Sequence, residues 1–303
     1  MSLDFHTLDV FTDRRFAGNP LAVILGADGL DTQRMQSIAR EFNLSETVFV
    51  LQPVNPAHSA RIRIFTPTME LPFAGHPTVG AAVLLAEQRL QGAANDHDSI
   101  IVLEETAGLM RVGVRFRAGH AAFAEFDAPK LPEETGTVAP ADSIAAALGL
   151  IPSEIGFANH RPVQFGAGNN FAFVPVTGLE AIGRARVQAS SWPAAFSGRE
   201  LVGAFLYCRD TVHNTSGFHA RMFAPESGMP EDAASGSAVI GLAGVIQRFD
   251  ALPDGAHKRV IEQGYEMGRP SHIALSVVIG HGRIETVRIG GSVVRVTEGR
   301  IVV

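Results

Sequence analysis

Phe65-Thr66-Pro67-Thr68-Met69-Glu70-Leu71-Pro72-Phe73-Ala74-Gly75-His76-Pro77-Thr78 reads as a strand end, a loop punctuated by three prolines, and the start of an apolar helix. Pro77 suits the first helical position, where a missing N–H costs nothing. The helix predicted from Thr78 to Leu90 carries Val79, Ala81, Ala82, Val83, Leu84, Leu85 and Ala86. Apolar residues on every face predict burial on all sides. A second version follows: Arg221-Met222-Phe223-Ala224-Pro225, then Pro230-Glu231-Asp232-Ala233-Ala234-Ser235-Gly236-Ser237, then an apolar helix from Ser237 to Phe249.

Other matches keep the same order. Gly18-Asn19-Pro20-Leu21-Ala22-Val23 returns as Gly168-Asn169-Asn170-Phe171-Ala172-Phe173, Phe65-Thr66-Pro67 as Phe223-Ala224-Pro225, and Gly75 as Gly236. Ordered matches at a slowly growing offset indicate duplication, and the period is too long for a solenoid. The expected fold is therefore mixed α/β. It has two homologous, pseudo-twofold halves, 1–118 and 119–303, each a curved, mainly antiparallel sheet or barrel around one buried helix. The last strand is left free to pack on the first half. Corresponding loops of related halves are expected to share a ligand cleft.

Between these landmarks, predicted strands cover Leu3–Phe11, Leu21–Leu25, Val48–Val50, Ala60–Phe65, Ile100–Leu103, Leu109–Phe116, Phe171–Val176, Gly203–Tyr207, Ile273–Ile279, Thr286–Ile289 and Val293–Val296. Asp31 or Thr32 caps a helix with Met35, Ile38, Ala39 and Phe42 on one face, and Asn43 ends it. Ser143–Leu150 reads as a short helix, and residues 127–140, rich in proline and acid, as a linker.

Composition removes several function classes. The net charge of −6, with no basic run, argues against a nucleic-acid surface. No window approaches 18 apolar residues, so no membrane span is expected, and Met1–Val10 lacks the pattern of a signal peptide. A cytoplasmic location is the expectation. Cys208, the single cysteine, excludes an internal disulfide and a cysteine metal site. The two lysines, Lys130 and Lys258, lie in polar loop-like sequence, which argues against a Schiff base. Phe171 breaks the dinucleotide fingerprint opened by Gly166-Ala167-Gly168, and the 11 histidines show no ligand spacing. Neither a metal nor a cofactor is expected.

The candidate chemistry lies at the two loops. Each ends at a helix N-terminus, where unpartnered N–H groups and the helix dipole favour a carboxylate. Gly75 and Gly236 permit close approach of the backbone. Two ordinary helix starts would read the same way. Asp232 is a candidate acid or base, although an acid beside a helix start is also a common stabilising placement. His76 offers a proton donor or a neutral hydrogen-bond partner, against a structural role. Glu46 lies among Leu44, Val48 and Phe49. If partly buried, it has a raised pKa and trades protons near neutrality; if exposed, it is an ordinary loop residue.

At these residues the chain resembles the PhzF-like phenazine-biosynthesis isomerase family, which shares the diaminopimelate epimerase fold. The resemblance rests on Ser45-Glu46-Thr47-Val48-Phe49-Val50, Phe73-Ala74-Gly75-His76-Pro77-Thr78 and Glu231-Asp232-Ala233-Ala234-Ser235-Gly236-Ser237-Ala238, with support from Gly18-Asn19-Pro20 and Gly268-Arg269-Pro270-Ser271. It implies a cofactor-independent isomerase that moves a proton on a small carboxylate substrate, commonly as a homodimer. It also implies Glu46 as the main shuttle, with the positions of His76, Asp232 and Ser237 assisting it or binding substrate. The expected catalytic set is therefore Glu46, His76 and Asp232, and the expected substrate-binding set Ser45, Gly75, Gly236 and Ser237. Ala233 and Ser235 stand where the family usually has proline and threonine. Ala74 and Ser235 stand where the epimerases of this fold carry cysteines, which excludes a two-cysteine racemase. The alternatives are a small-carboxylate-binding protein without turnover, and a lyase or hydrolase using the same cleft.

Overall fold

The computed structural model describes residues 2–90 and 96–303. They divide into two units, Met1–Pro129 with Gly290–Val303, and Lys130–Ile289. The first contains β1 (Ser2–Val10), β2 (Asn19–Ile24), α1 (Thr32–Phe42), β3 (Glu46–Leu51), β4 (Ala60–Phe65), β5 (Glu70–Leu71), α2 (Gly75–Leu90), β6 (His97–Glu105), β7 (Gly108–Phe116) and β8 (Ala122–Asp127). The second contains β9 (Glu133–Gly136), α3 (Ala141–Leu148), β10 (Val163–Gly166), β11 (Asn170–Pro175), α4 (Leu179–Arg184), α5 (Trp192–Phe196), β12 (Gly203–Cys208), β13 (Phe218–Ala224), β14 (Met229–Asp232), α6 (Gly236–Asp250), β15 (Gly255–Gln263) and β16 (Ser271–Gly280). β17 (Arg283–Val302) ends in the first unit.

In the first unit the strands close into an eight-membered barrel. β1 pairs β2, β2 runs parallel to β3, β3 pairs β4, β4 runs parallel to β6, and β7 and β8 follow. β17 pairs both β8 and β1 and completes the ring. Closure removes the exposed edges that an open sheet would leave. α2 is buried on nearly every face, as its sequence requires. A Cβ on Gly80 would stand 2.5 Å from Leu21 Cδ2, so the helix approaches β2 more closely than alanine allows. α1 turns Met35, Ile38 and Ala39 to a core with Ile24, Phe49 and Phe65. Asp31, not Thr32, caps it, accepting the Arg34 N–H at 2.7 Å.

The second unit repeats the pairing pattern. β10–β11 is antiparallel, β11–β12 parallel, β12–β13 antiparallel, β13–β15 parallel and β15–β16 antiparallel. The short β14 folds back on β13 as β5 does on β4. α6 is likewise almost wholly buried. Its Gly241 and Gly244 sit against Phe173 and Phe165, where a Cβ would stand 2.7 and 2.6 Å from ring atoms.

Three sequence readings change. The division falls after Pro129, not near 118, because β8 pairs β7 and stays with the first unit. The stretch read as a linker contains β9, which pairs β10. Thr286–Ile289 and Val293–Val296 are parts of one strand, β17, entered through the turn His281-Gly282, whose positive φ values suit a tight hairpin. Pro77 is the third residue of α2, still among the four positions with no N–H partner in the helix. No helix among the described residues is long and apolar enough to cross a membrane.

Candidate active site

Glu46 is the first residue of β3, in register with Leu21 of the parallel neighbour β2. Every residue of β3 is buried, and Glu46 is only 8% exposed. β4 feeds the central loop, whose bend is held by Thr66 Oγ1 accepting from the N–H groups of Thr68 and Met69. The loop then enters the barrel through buried Phe73 and Ala74, and α2 begins at Gly75. This places His76 in the first helical turn, 4% exposed, with Nε2 3.3 Å from Glu46 Oε2. Strand start and helix start thus bring together two groups thirty residues apart in sequence. Ser45 precedes the pair, half-buried.

Burial pushes the His76 pKa down to about 3, so the pair is a carboxyl facing a neutral imidazole and not an ion pair. Between pH 6.5 and about 3 the unfolded chain binds a proton at this histidine and the folded chain does not. This contribution to stability therefore falls as the solution is acidified. A ¹⁵N-histidine titration should show the His76 ring neutral down to about pH 4; titration of His76 at 6 or above would overturn this assignment.

The second unit holds the other cluster. Asp232 ends β14, half-buried, and accepts the Ser235 hydroxyl proton at Oδ2. Ser235 lies at the N-cap of α6, and its carbonyl accepts from Val239 N–H. Its hydroxyl makes no cap to the helix and goes to Asp232 instead. Gln263, fully buried at the end of β15, donates to Asp232 O at 2.8 Å and to Ser235 Oγ at 3.2 Å, and accepts Ser235 N–H at 3.1 Å. Gly236 and Ser237 form the first turn of α6, buried and half-buried respectively. The neighbouring Glu231 is committed elsewhere: Arg221 grips it through Nε at 2.8 Å and Nη2 at 2.9 Å. The two adjacent acids are thus held by different partners, Glu231 by Arg221 and Asp232 by Ser235.

Sequence reasoning missed Arg221 and Gln263 as supports of this loop. Gln263 sits five residues before the Gly268-Arg269-Pro270-Ser271 signal, but nothing in its spacing points to Asp232. The position matching Glu46 in the duplicate, the first residue of β12, is Gly203. There a Cβ would stand 2.2 Å from Phe223 O, so no side chain fits.

Two further buried histidines belong to structural networks. His219 lies between Glu262 (2.8 Å) and Glu266 (2.9 Å), and His160 between Tyr207 and Asp250 (both 2.9 Å). Burial opposes the charge on His219, and its two glutamates raise its pKa on balance. Among the described residues no group of three or more His, Cys, Asp or Glu side chains is arranged to hold a metal ion.

Residues 8–299 match the family model described as phenazine biosynthesis-like protein. An uncharacterized isomerase of Mesorhizobium japonicum is 52% identical, over 97% of this chain and 96% of its own. A trans-2,3-dihydro-3-hydroxyanthranilate isomerase of Pseudomonas aeruginosa is 35% identical, over 97% of each chain. The fold is similar to that of the crystal structure of a PhzF-family phenazine biosynthesis protein from Bacillus anthracis, with a TM-score of 0.89 over both whole chains at 23% identity.

Proposed function

We propose, for a chain that belongs to the phenazine biosynthesis-like (PhzF) family, that the isomerase reaction is a proton shift begun by Glu46. The observation that carries the reading is the buried contact of Glu46 Oε2 with neutral His76 Nε2 at 3.3 Å, beside the start of α2. A carboxylate there takes a proton from a carbon acidified by a neighbouring unsaturated or carbonyl system. One C–H bond breaks, the double bond moves, and a new C–H bond forms at another carbon. The change is neutral in mass and in oxidation state, so the reading calls for no cofactor. His76, held neutral, serves as a hydrogen-bond partner to the reacting system and not as a charged acid. The helix start at Gly75 supplies N–H groups suited to a substrate carboxylate, and the second unit has a start of the same kind at Gly236 and Ser237. The protonated Glu46 returns the proton at the second carbon, which restores its carboxylate; in the second unit Asp232, held by Ser235 and Gln263, is the corresponding acid–base candidate.

The substrate class is a small unsaturated or cyclic carboxylate. The molecule named for the Pseudomonas aeruginosa relative, trans-2,3-dihydro-3-hydroxyanthranilate, is the first probe. Incubation of this probe and a panel of small carboxylates in D₂O should place solvent deuterium in one ligand without change of skeleton. Tight binding with no exchange would favour a binder, and loss of CO₂ or water from the product would favour a lyase. Either result would overturn the proton-shift reading.

A further inference from the structure

The two nine-residue strands that follow the central helices, β6 and β15, occupy the same place in the repeated topology. Each runs parallel to the strand that feeds a central loop, and each pairs antiparallel with the next strand. Their last residues are Glu105 and Gln263, 158 positions apart. Gln263 uses its amide to hold the loop before α6. Glu105 has the same length and outline and is buried in the same way, at 8% exposure. Its Oε1 lies 2.7 Å from Thr78 Oγ1, which lies 2.8 Å from Ala74 O, the carbonyl at the start of α2. The turn just after Glu105 adds a bond from Ala107 N–H to Pro72 O at 3.0 Å.

Proton counting decides the charge state. The Thr78 hydroxyl carries one proton, and a carbonyl only accepts. Both short contacts are fully formed hydrogen bonds only when the carboxyl brings the second proton. Glu105 Oε2 makes no hydrogen bond among the described residues, which a buried carboxylate would tolerate poorly and a neutral acid tolerates better.

We propose that Glu105 is a positioning residue that works as a neutral carboxylic acid, the first-half counterpart of the Gln263 amide, and that through Thr78 and Ala74 it sets the helical turn bearing Gly75 and His76. The inference rests on the reading of Glu46 and His76 as the proton-handling pair. Burial pushes the Glu105 pKa up to about 8, and the Thr78 bond only partly opposes it. The surrounding charges do not relieve that burial. On its own strand Glu104 is engaged with Val54 N–H, Asn55 N–H and His58; on β4, Arg63 is paired with Glu70, and Arg61 lines a groove of 450 Å³ together with Glu105 without offsetting its burial. On α2 the residue that meets Glu105 is Thr78, and the titratable group in the same helical turn, His76, is neutral.

The test compares the full chain with Glu105→Gln and Glu105→Ala. In the wild type the folded state keeps a proton that the unfolded state has lost, from pH 4.5 up to about 8. This stabilisation is fully present below 4.5 and is lost as pH rises, so the thermal midpoint should fall by roughly 2 °C per pH unit more than in Glu105→Gln over that range. An infrared difference spectrum of wild type minus Glu105→Gln at pH 7 should show a protonated-carboxyl band. The ¹⁵N resonances of the His76 ring should shift in Glu105→Ala and return in Glu105→Gln. Equal pH slopes in wild type and Glu105→Gln would overturn the proposal, as would an absent carboxyl band or His76 resonances unmoved in Glu105→Ala. None of these readouts uses substrate, so failure of the proton-shift reading in D₂O would be seen separately.

Discussion

Glu46→Gln should lower the rate of deuterium uptake into a turned-over carboxylate by roughly 10²–10⁴-fold, the usual contribution of a positioned acid–base group. The amide has the outline of the acid and meets the same neighbours at the head of β3. The thermal midpoint is therefore expected to move little, and KM less than kcat. Gln keeps the outline of the acid beside His76, 3.3 Å away in the native pair, but cannot accept a proton from carbon. That split separates loss of chemistry from loss of structure. Uptake within a few-fold of wild type would remove Glu46 from the mechanism and leave the family fold without its assigned base.

Arg221→Met should cost about 3–5 kcal/mol of stability, the range for removing one partner of a buried ion pair. Arg221 is 3% exposed. Besides its two bonds to Glu231, its Nη1 donates to Ile182 O at 2.8 Å and Ala185 O at 2.9 Å. Methionine fills much of the space and satisfies none of these acceptors. Glu231→Gln should cost less, because the guanidinium keeps both carbonyls. Denaturant melts of the two variants test the order; equal costs would show that the carboxylate, and not the carbonyl pair, dominates.

The parts of the fold legible in sequence were those where one physical demand acts alone. Helices apolar on every face have only one place to go, so α2 and α6 were visible together with the loops that feed them. β15 was not, because its first residues, including His257, Lys258 and Arg259, lie outward and only Val260 and Ile261 carry an apolar signal. β8 and β9 were hidden by the prolines and acids around them, which moved the expected boundary to 118. Glu46, His76 and Asp232 stand out in sequence as proposed site residues because their neighbours form motifs. Their supports do not, because Gln263 reaches Asp232 only after β15 has aligned with β13, and Arg221 reaches Ile182 and Ala185 only after α4 has packed. Glu105 was invisible for a related reason: its meaning depends on Thr78, twenty-seven residues earlier, and on its twin in the other half.

Gly203 shows how far the two copies have drifted apart. With 2.2 Å between a would-be Cβ and the Phe223 carbonyl, the second copy is barred by its own backbone from growing an acid at the address that Glu46 holds in the first. Restoring symmetry by Gly203→Glu would first have to part β12 from β13. The room for a carboxylate at the head of the second strand is thus present in one copy of the duplication and closed in the other.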